Sequence, residues 1–234
     1  NVILDDADFT KAVADGVGKC FLNSGQTCTA LTRMLVPRER LAEAEQIAAA
    51  TAGAFTPGNP FDQASRIGPL VSAVQRDRVR GFIQTGVDEG ATLLAGGPDA
   101  PAGLEQGFFV QPTVFSNVTP DMTIAREEIF GPVLSIIPYD TEDEAIAIAN
   151  DTIYGLSSYL WTNNTGRAIR LAKAIESGMT FVNSQNVRDL RQPFGGSKAS
   201  GTGREGNHYS FEVFCEAKNI AVSYGSHHIP RWGV

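Results

Sequence analysis

Short apolar runs that alternate with stretches of helical periodicity constrain this chain more than any other feature. Met34-Leu35-Val36, Val133-Leu134-Ser135-Ile136-Ile137, Ser157 to Trp161 and Met179 to Asn183 read as strands, and Thr92 to Ala95 as a short one. Between them lie helices. Phe9, Val13, Val17 and Phe21 fall four apart, one face of a helix over about Asp8 to Phe21. Arg38 to Ala54, rich in Ala, Glu and Leu, reads as one long helix ahead of a Pro- and Gly-bearing loop from Thr56 to Leu70. Ser72 is a natural N-cap for a helix to about Val87, and Thr141-Glu142-Asp143-Glu144 spells a capping box for a helix to Asn150. Arg167 to Glu176 is a further helix, and Asn219 to Ser223 a candidate last strand. The alternation predicts an α/β domain: a mainly parallel sheet flanked by helices, built from βαβ units.

Composition narrows the function. Hydrophobic residues make up 42% of 234, enough for a core. The net charge of -7 and the lack of any Lys/Arg run argue against a nucleic-acid partner. No apolar stretch nears the ~20 residues of a membrane span, and Asn1 opens without the basic start of a signal peptide. Three cysteines, Cys20, Cys28 and Cys215, are too sparse for a disulfide scaffold and fit a reducing, cytoplasmic compartment. No metal site is expected, since CxxC and HExxH are absent and His227 and His228 sit in a tail without companions.

Of the cysteines, Cys28 has the most suggestive surroundings. It lies in Gly25-Gln26-Thr27-Cys28-Thr29-Ala30, small residues that let backbone approach a substrate. A thiolate there suits addition to a carbonyl and is a good leaving group from a thioester. Its backbone N–H is placed to donate to the developing oxyanion. Taken alone, the segment equally admits a small buried hydrophobe, the usual fate of a free cysteine and the one expected of Cys20 and Cys215.

Longer motifs decide between these. Asn23-Ser24-Gly25-Gln26-Thr27-Cys28 resembles the cysteine signature of the aldehyde dehydrogenase superfamily. Glu127-Glu128-Ile129-Phe130-Gly131-Pro132-Val133, Asn150-Asp151-Thr152-Ile153-Tyr154-Gly155-Leu156-Ser157, and Phe181-Val182-Asn183 with Pro193-Phe194-Gly195-Gly196-Ser197-Lys198-Ala199-Ser200-Gly201 resemble three more of its hallmarks, in order. The resemblance implies that Cys28 is the nucleophile, flanked by the substrate-side Thr27 and Thr29. It implies that Glu128 grips the ribose hydroxyls of NAD (or NADP), that Phe130 packs near the nicotinamide, and that Phe194 lines the aldehyde pocket. Each also has an ordinary reading: a solvated carboxylate for Glu128 and core packing for Phe130. Asn183 matches a family asparagine near the active centre, with a structural hydrogen-bonding role equally open. Arg33, five residues past Cys28, matches a structural arginine.

The resemblance further implies a catalytic domain over 1–210 and an oligomerising segment and tail over 211–234 of a homo-oligomer. It places the family's general base, the oxyanion-hole asparagine and the cofactor-binding domain ahead of Asn1. The chain alone is then expected to lack turnover. Gly201-Thr202-Gly203-Arg204-Glu205-Gly206 spells GxGxxG, but it follows Ser-Lys-Ala-Ser rather than a strand and reads as a loop.

For the substrate, the stretch from Val182 to Pro193 is similar to aldehyde dehydrogenases acting on muconate semialdehydes. The tail His228-Ile229-Pro230-Arg231-Trp232-Gly233-Val234 resembles the 5-carboxymethyl-2-hydroxymuconate semialdehyde dehydrogenases. Such substrates carry carboxylates, which an arginine fork binds with two parallel hydrogen bonds. Arg188 is the candidate for that role over Arg191; pairing of both with Asp189, or exposure of both to water, is the alternative. Betaine aldehyde, general aliphatic aldehydes, transfer of the acyl group to coenzyme A and a non-catalytic assembly module remain the rival readings.

Overall fold

A computed structural model describes residues 1–184, 187 and 189–233. Seven strands form one sheet: β1 (Val2–Ile3), β2 (Arg33–Pro37), β3 (Thr92–Ala95), β4 (Thr113–Ser116), β5 (Val133–Tyr139), β6 (Ser157–Trp161) and β7 (Met179–Val182), in the order β3-β4-β5-β2-β1-β6-β7. Every pairing is parallel except β3 with β4. This is the expected α/β architecture. The helices are α1 (Phe9–Phe21), α2 (Leu41–Gly53), α3 (Ala73–Asp88), α4 (Thr123–Arg126), α5 (Glu142–Asn150), α6 (Thr165–Ala174) and α7 (Asn207–Phe214).

Both faces of the sheet are covered, which is why its central strands read as unbroken apolar runs. On β5, Leu134 and Ile136 face α1 and α2, while Val133 and Ile137 face the α3–α6 side. The four-residue stripe of α1 is fully inside: Phe9, Val13, Val17 and Phe21 are each at most 3% exposed. Ala44, Ala48 and Ala52 give α2 a small-residue stripe that belongs to the same layer. The caps are as the sequence indicates. The Ser72 hydroxyl accepts from the Gln75 N–H at 3.2 Å and Thr141 from Glu144 at 3.2 Å. The Glu144 carboxylate, however, reaches back to the N–H of Asp140 rather than to that of Thr141.

Three expectations need correction. Arg38 to Ala54 is not one helix: Arg38–Arg40 forms a 3-10 turn, and α2 starts at Leu41. Pro37, with ψ of 133°, keeps the chain extended into that turn. Asn219 to Ser223 forms no strand and lies exposed, with no neighbouring strand to pair with among the described residues. Cys215 is exposed rather than buried, whereas Cys20 is buried as expected and its thiol donates to the Val133 carbonyl at 3.3 Å. Two strands escaped the sequence reading. β1 is two residues long, and β4 (Thr-Val-Phe-Ser, fully buried) hides behind Pro112 in a loop-like context. Gly201–Gly206 is a loop, as read: its Glu205 exchanges backbone hydrogen bonds with Phe194, both at 2.8 Å, before α7 begins.

Candidate active site

The parallel sheet gathers the motifs at one edge. The Cys28 segment enters β2, the Glu128 segment enters β5, and the Tyr154 segment enters β6. Because β2 pairs directly with β5 (Arg33 beside Ser135), their entry loops emerge side by side. The site therefore sits at the amino ends of the strands, opposite to the carboxyl-end crevice usual in open α/β sheets.

The cysteine loop is held in an unusual backbone shape. Asn23, Ser24 and Gly25 have φ of 53°, 57° and 71°, three consecutive residues in the left-handed region. Such conformers cost roughly 1 kcal/mol or more each for non-glycine residues, so anchors are required. The Ser24 hydroxyl donates to the Gly68 carbonyl at 2.8 Å, the Asn23 amide donates to the Gln26 carbonyl at 3.0 Å, and the Gln26 side-chain oxygen accepts from the Val71 N–H at 3.0 Å. Gly25 packs so closely on the second loop that an added Cβ would lie 2.0 Å from the Gly131 carbonyl oxygen. A turn from Thr27 to Ala30 (N–H to carbonyl 2.9 Å) then presents Cys28. Its thiol is free and exposed. No acceptor among the described residues engages its backbone N–H.

Thr27, Cys28, Glu128 and Phe130 share one cleft of about 400 Å³, with Gly25 and Arg33 among its other walls. Phe130 takes φ of 57° and its backbone is held by α3. Glu128 is exposed, lines the cleft, and its carboxylate accepts no hydrogen bond from any described residue, which leaves it available to a diol. That donor-free carboxylate beside an aromatic face fits a nicotinamide riboside. Arg33 donates to the Ile148 carbonyl at 2.8 Å, fastening α5 beneath the cleft, and burial pulls its guanidinium below the usual arginine range. This matches its structural reading.

The third and fourth motifs interlock across the cleft. Ser197 N–H and hydroxyl both donate to the Gly155 carbonyl, at 2.8 and 3.1 Å, and the Ser200 hydroxyl accepts from the Gly155 N–H at 3.0 Å. Lys198 reaches the Asn150 carbonyl at 2.8 Å and the Glu176 carboxylate at 2.7 Å. Asn183 takes the structural role: its amide oxygen accepts from the Thr162 N–H at 2.9 Å and its amide nitrogen donates to the Thr162 carbonyl at 2.6 Å. Arg191 is paired with Asp189 at 2.6 Å. Arg188 lies outside the described residues. Thr29 and Phe194 are not among the residues that wall the cleft. Gln75 and Arg78 on α3, which touch the Glu128 loop, were missed. Nothing local marks them, since their partners lie some fifty residues on.

An exposed thiol at the amino ends of a parallel sheet thus shares a cleft with a carboxylate and an aromatic ring in a fold of α/β class. The comparisons give it its family. Residues 1–220 match the aldehyde dehydrogenase family model, and the chain belongs to that family. It is 48% identical over 226 residues to a 3-succinoylsemialdehyde-pyridine dehydrogenase from a Pseudomonas species, covering 97% of this chain and 47% of that protein. A mutant aldehyde dehydrogenase C from Pseudomonas syringae, solved with NAD+ and octanal, superposes with a TM-score of 0.89 at 48% identity over 92% of this chain and 44% of that one. The Mycobacterium tuberculosis aldehyde dehydrogenase bound to NAD+ gives a TM-score of 0.90 at 44% identity, over 97% and 47% of the two chains. The chain thus spans about half the length of the relatives it matches. Among the described residues no helix is long and apolar enough to cross a membrane.

Proposed function

We propose that the protein carrying this chain oxidises an aldehyde to its acid with NAD, and that Cys28 is the nucleophile. The observation that carries the reading is the exposed Cys28 thiol opening into the same cleft as the uncommitted Glu128 carboxylate and Phe130. The Cys28 thiolate forms a C–S bond to the aldehyde carbon as the C=O π pair moves onto oxygen, and the Cys28 N–H would face the oxygen that gains charge. Loss of hydride from that carbon re-forms the carbonyl and leaves the acyl group as a thioester on Cys28. Glu128 would hold the ribose diol and Phe130 the nicotinamide ring; when bound, NAD supplies the hydride acceptor. NAD rather than NADP is favoured by the NAD+ in the solved relatives. Hydrolysis of that thioester then needs a base to activate water.

For the substrate class we favour a semialdehyde that also bears a carboxylate, as in aromatic catabolism. The similar Pseudomonas protein is named for a semialdehyde. Arg188 remains the proposed carboxylate ligand, with Phe194, Thr27 and Thr29 completing the substrate side. A second role rests on the tail: Phe211, Val213, Phe214, Ile220 and Val222 are each more than 60% exposed. An apolar segment of this kind suits residues 211–234 as an assembly element of a cytoplasmic homo-oligomer, beside a catalytic unit over 1–210.

The test uses the full-length protein and compares kcat/KM for 5-carboxymethyl-2-hydroxymuconate semialdehyde, betaine aldehyde and octanal, with product analysis for free acid against acyl-CoA. The reading expects free acid and the highest kcat/KM on the muconate semialdehyde. It expects a loss of about tenfold or more on that substrate alone in Arg188→Met, the scale of a charged hydrogen bond. Preference for octanal with an unaffected Arg188→Met variant would remove the semialdehyde reading and leave the cysteine chemistry intact.

A further inference from the structure

The last turn of α5 lies behind the wall of the cleft, to which Ala149 and Thr152 contribute. The final carbonyls of a helix have no partner within it and must find one elsewhere. Ala147 accepts from the Asp151 N–H at 2.9 Å, Ile148 from the Arg33 guanidinium at 2.8 Å, and Asn150 from the Lys198 ammonium at 2.8 Å. The helix dipole favours cations at this end, and the first turn of α5 carries Glu142, Asp143 and Glu144 at the other. Arg33 stands five residues past Cys28, and Lys198 four past Phe194. We propose that Lys198 is a positioning residue for the aldehyde side of the site. It sets the loop from Phe194 to Ser200 against the strand that Cys28 leads into, with the end of α5 as the joint between them. The proposal rests on the reading of Cys28 as nucleophile and Phe194 as an aldehyde contact, and deepens it.

The Lys198 ammonium meets three partners at once: the Asn150 carbonyl, the Thr152 carbonyl at 3.3 Å and the Glu176 carboxylate at 2.7 Å. Its backbone holds φ of 54°, in the left-handed region that a lysine rarely adopts unaided. The same seam is fastened on either side of it. The Ala199 N–H donates to the Ile153 carbonyl at 2.9 Å. The Asn150 amide bridges the ends of α5 and α6, donating to the Ala174 carbonyl at 2.9 Å and accepting from the Glu176 N–H at 2.8 Å. The loop itself has no slack. A Cβ on Gly195 would stand 2.4 Å from the Gly203 carbonyl oxygen, and one on Gly196 2.6 Å from that of Ser200. A shift at Lys198 is therefore passed along the loop to Phe194 rather than absorbed within it. Ala199 and Ser200, next to the lysine, wall the cleft directly. Methionine at this position keeps the length of the side chain and loses all three bonds, whereas arginine keeps a cation over the same carbonyls.

The experiment measures KM for aldehyde, KM for NAD and kcat in the full-length protein and its Lys198→Met, Lys198→Arg, Glu176→Gln and Phe194→Ala variants, with folding checked by circular dichroism. Lys173→Met, at an exposed position in the last turn of α6, is the control. The proposal expects aldehyde KM to rise about tenfold in Lys198→Met, the scale of a lost charged hydrogen bond, and about threefold in Glu176→Gln. Lys198→Arg should lie nearer wild type than Lys198→Met. KM for NAD should stay within about twofold throughout, and Lys173→Met should match wild type. If Lys198→Met does not fold, Glu176→Gln decides. An unchanged aldehyde KM in the folded variants of Lys198 and Glu176 overturns the proposal. An equal rise of both KM values does so too, since it marks a loosening of the whole site. Failure of the underlying reading looks different: an unchanged aldehyde KM in Phe194→Ala removes Phe194 from the aldehyde pocket, and the proposal with it.

Discussion

Gly25 and Gly131 are in direct contact, the one at the neck of the cysteine loop and the other at the end of the Glu128 loop. A Cβ on Gly25 would stand 2.0 Å from the Gly131 carbonyl oxygen and 2.6 Å from the Pro132 nitrogen, atoms that cannot step aside. Gly25 also has φ of 71°. Gly25→Ala should therefore cost about 2–4 kcal/mol of stability, overlap and backbone strain combined. Gly81→Ala, in mid-α3 with nothing within 4 Å of the new methyl, should instead stabilise by about 0.5–1 kcal/mol. Urea unfolding of the two variants checks the pair. A Gly25→Ala protein as stable as wild type would mean that the two loops are not locked together.

Asn183 closes a two-bond ring on the Thr162 backbone, at 2.9 and 2.6 Å. Asn183→Ala leaves a backbone donor and acceptor unpaired at the end of β6, and should cost about 1–3 kcal/mol. The alkylation rate of Cys28 should not change. A slower alkylation at unchanged stability would return Asn183 to the catalytic role that its motif suggests.

Arg167 ties the start of α6 to residues after β1, bonding Asp5 at 2.6 Å and Asp6 at 2.9 Å. The hydrogen bond from Arg167 holds the Asp5 carboxyl below its usual range, against a smaller opposing effect of burial. The sign follows from the depressed value. Asp5 contributes its full stabilisation above the ordinary carboxylate pKa of about 3.9 and loses it as pH falls through the lower folded value. The Asp5 carboxylate is about half exposed to solvent, which screens the pair, so the contribution is roughly 0.5 kcal/mol. Asp5→Asn should lower stability by that amount at pH 7 and converge on wild type as the pH falls through the lowered value of Asp5. A constant difference across this range would show that Asp5 acts by packing alone.

Much of this architecture was legible because the buried strands write their environment directly into sequence. β5 sits between helices on both faces and reads Val-Leu-Ser-Ile-Ile. The stripe Phe9, Val13, Val17, Phe21 gave α1 to within a residue. β1 and β4 were not legible, because two- and four-residue strands gain their identity from the neighbours they pair with. Asn219 to Ser223 has strand composition but no neighbouring strand to pair with among the described residues. In the site, Cys28, Glu128 and Phe130 could be singled out as candidates because motifs carry them, and the fold brings them to one cleft. Gln75 and Arg78 could not, because a side chain on a helix that holds distant carbonyls leaves no local periodicity or spacing behind.

The central claim is that Cys28 is the nucleophile of an aldehyde oxidation. Its most direct measurement is aldehyde-dependent NADH formation by the full-length protein and its Cys28→Ala variant, with folding checked by circular dichroism. Cys28 is exposed at the cleft and outside the buried core, so the variant should fold. The account predicts activity in the wild type and a loss of at least about a thousandfold in the variant, the scale expected when a covalent route is removed. Activity that survives the substitution would contradict it.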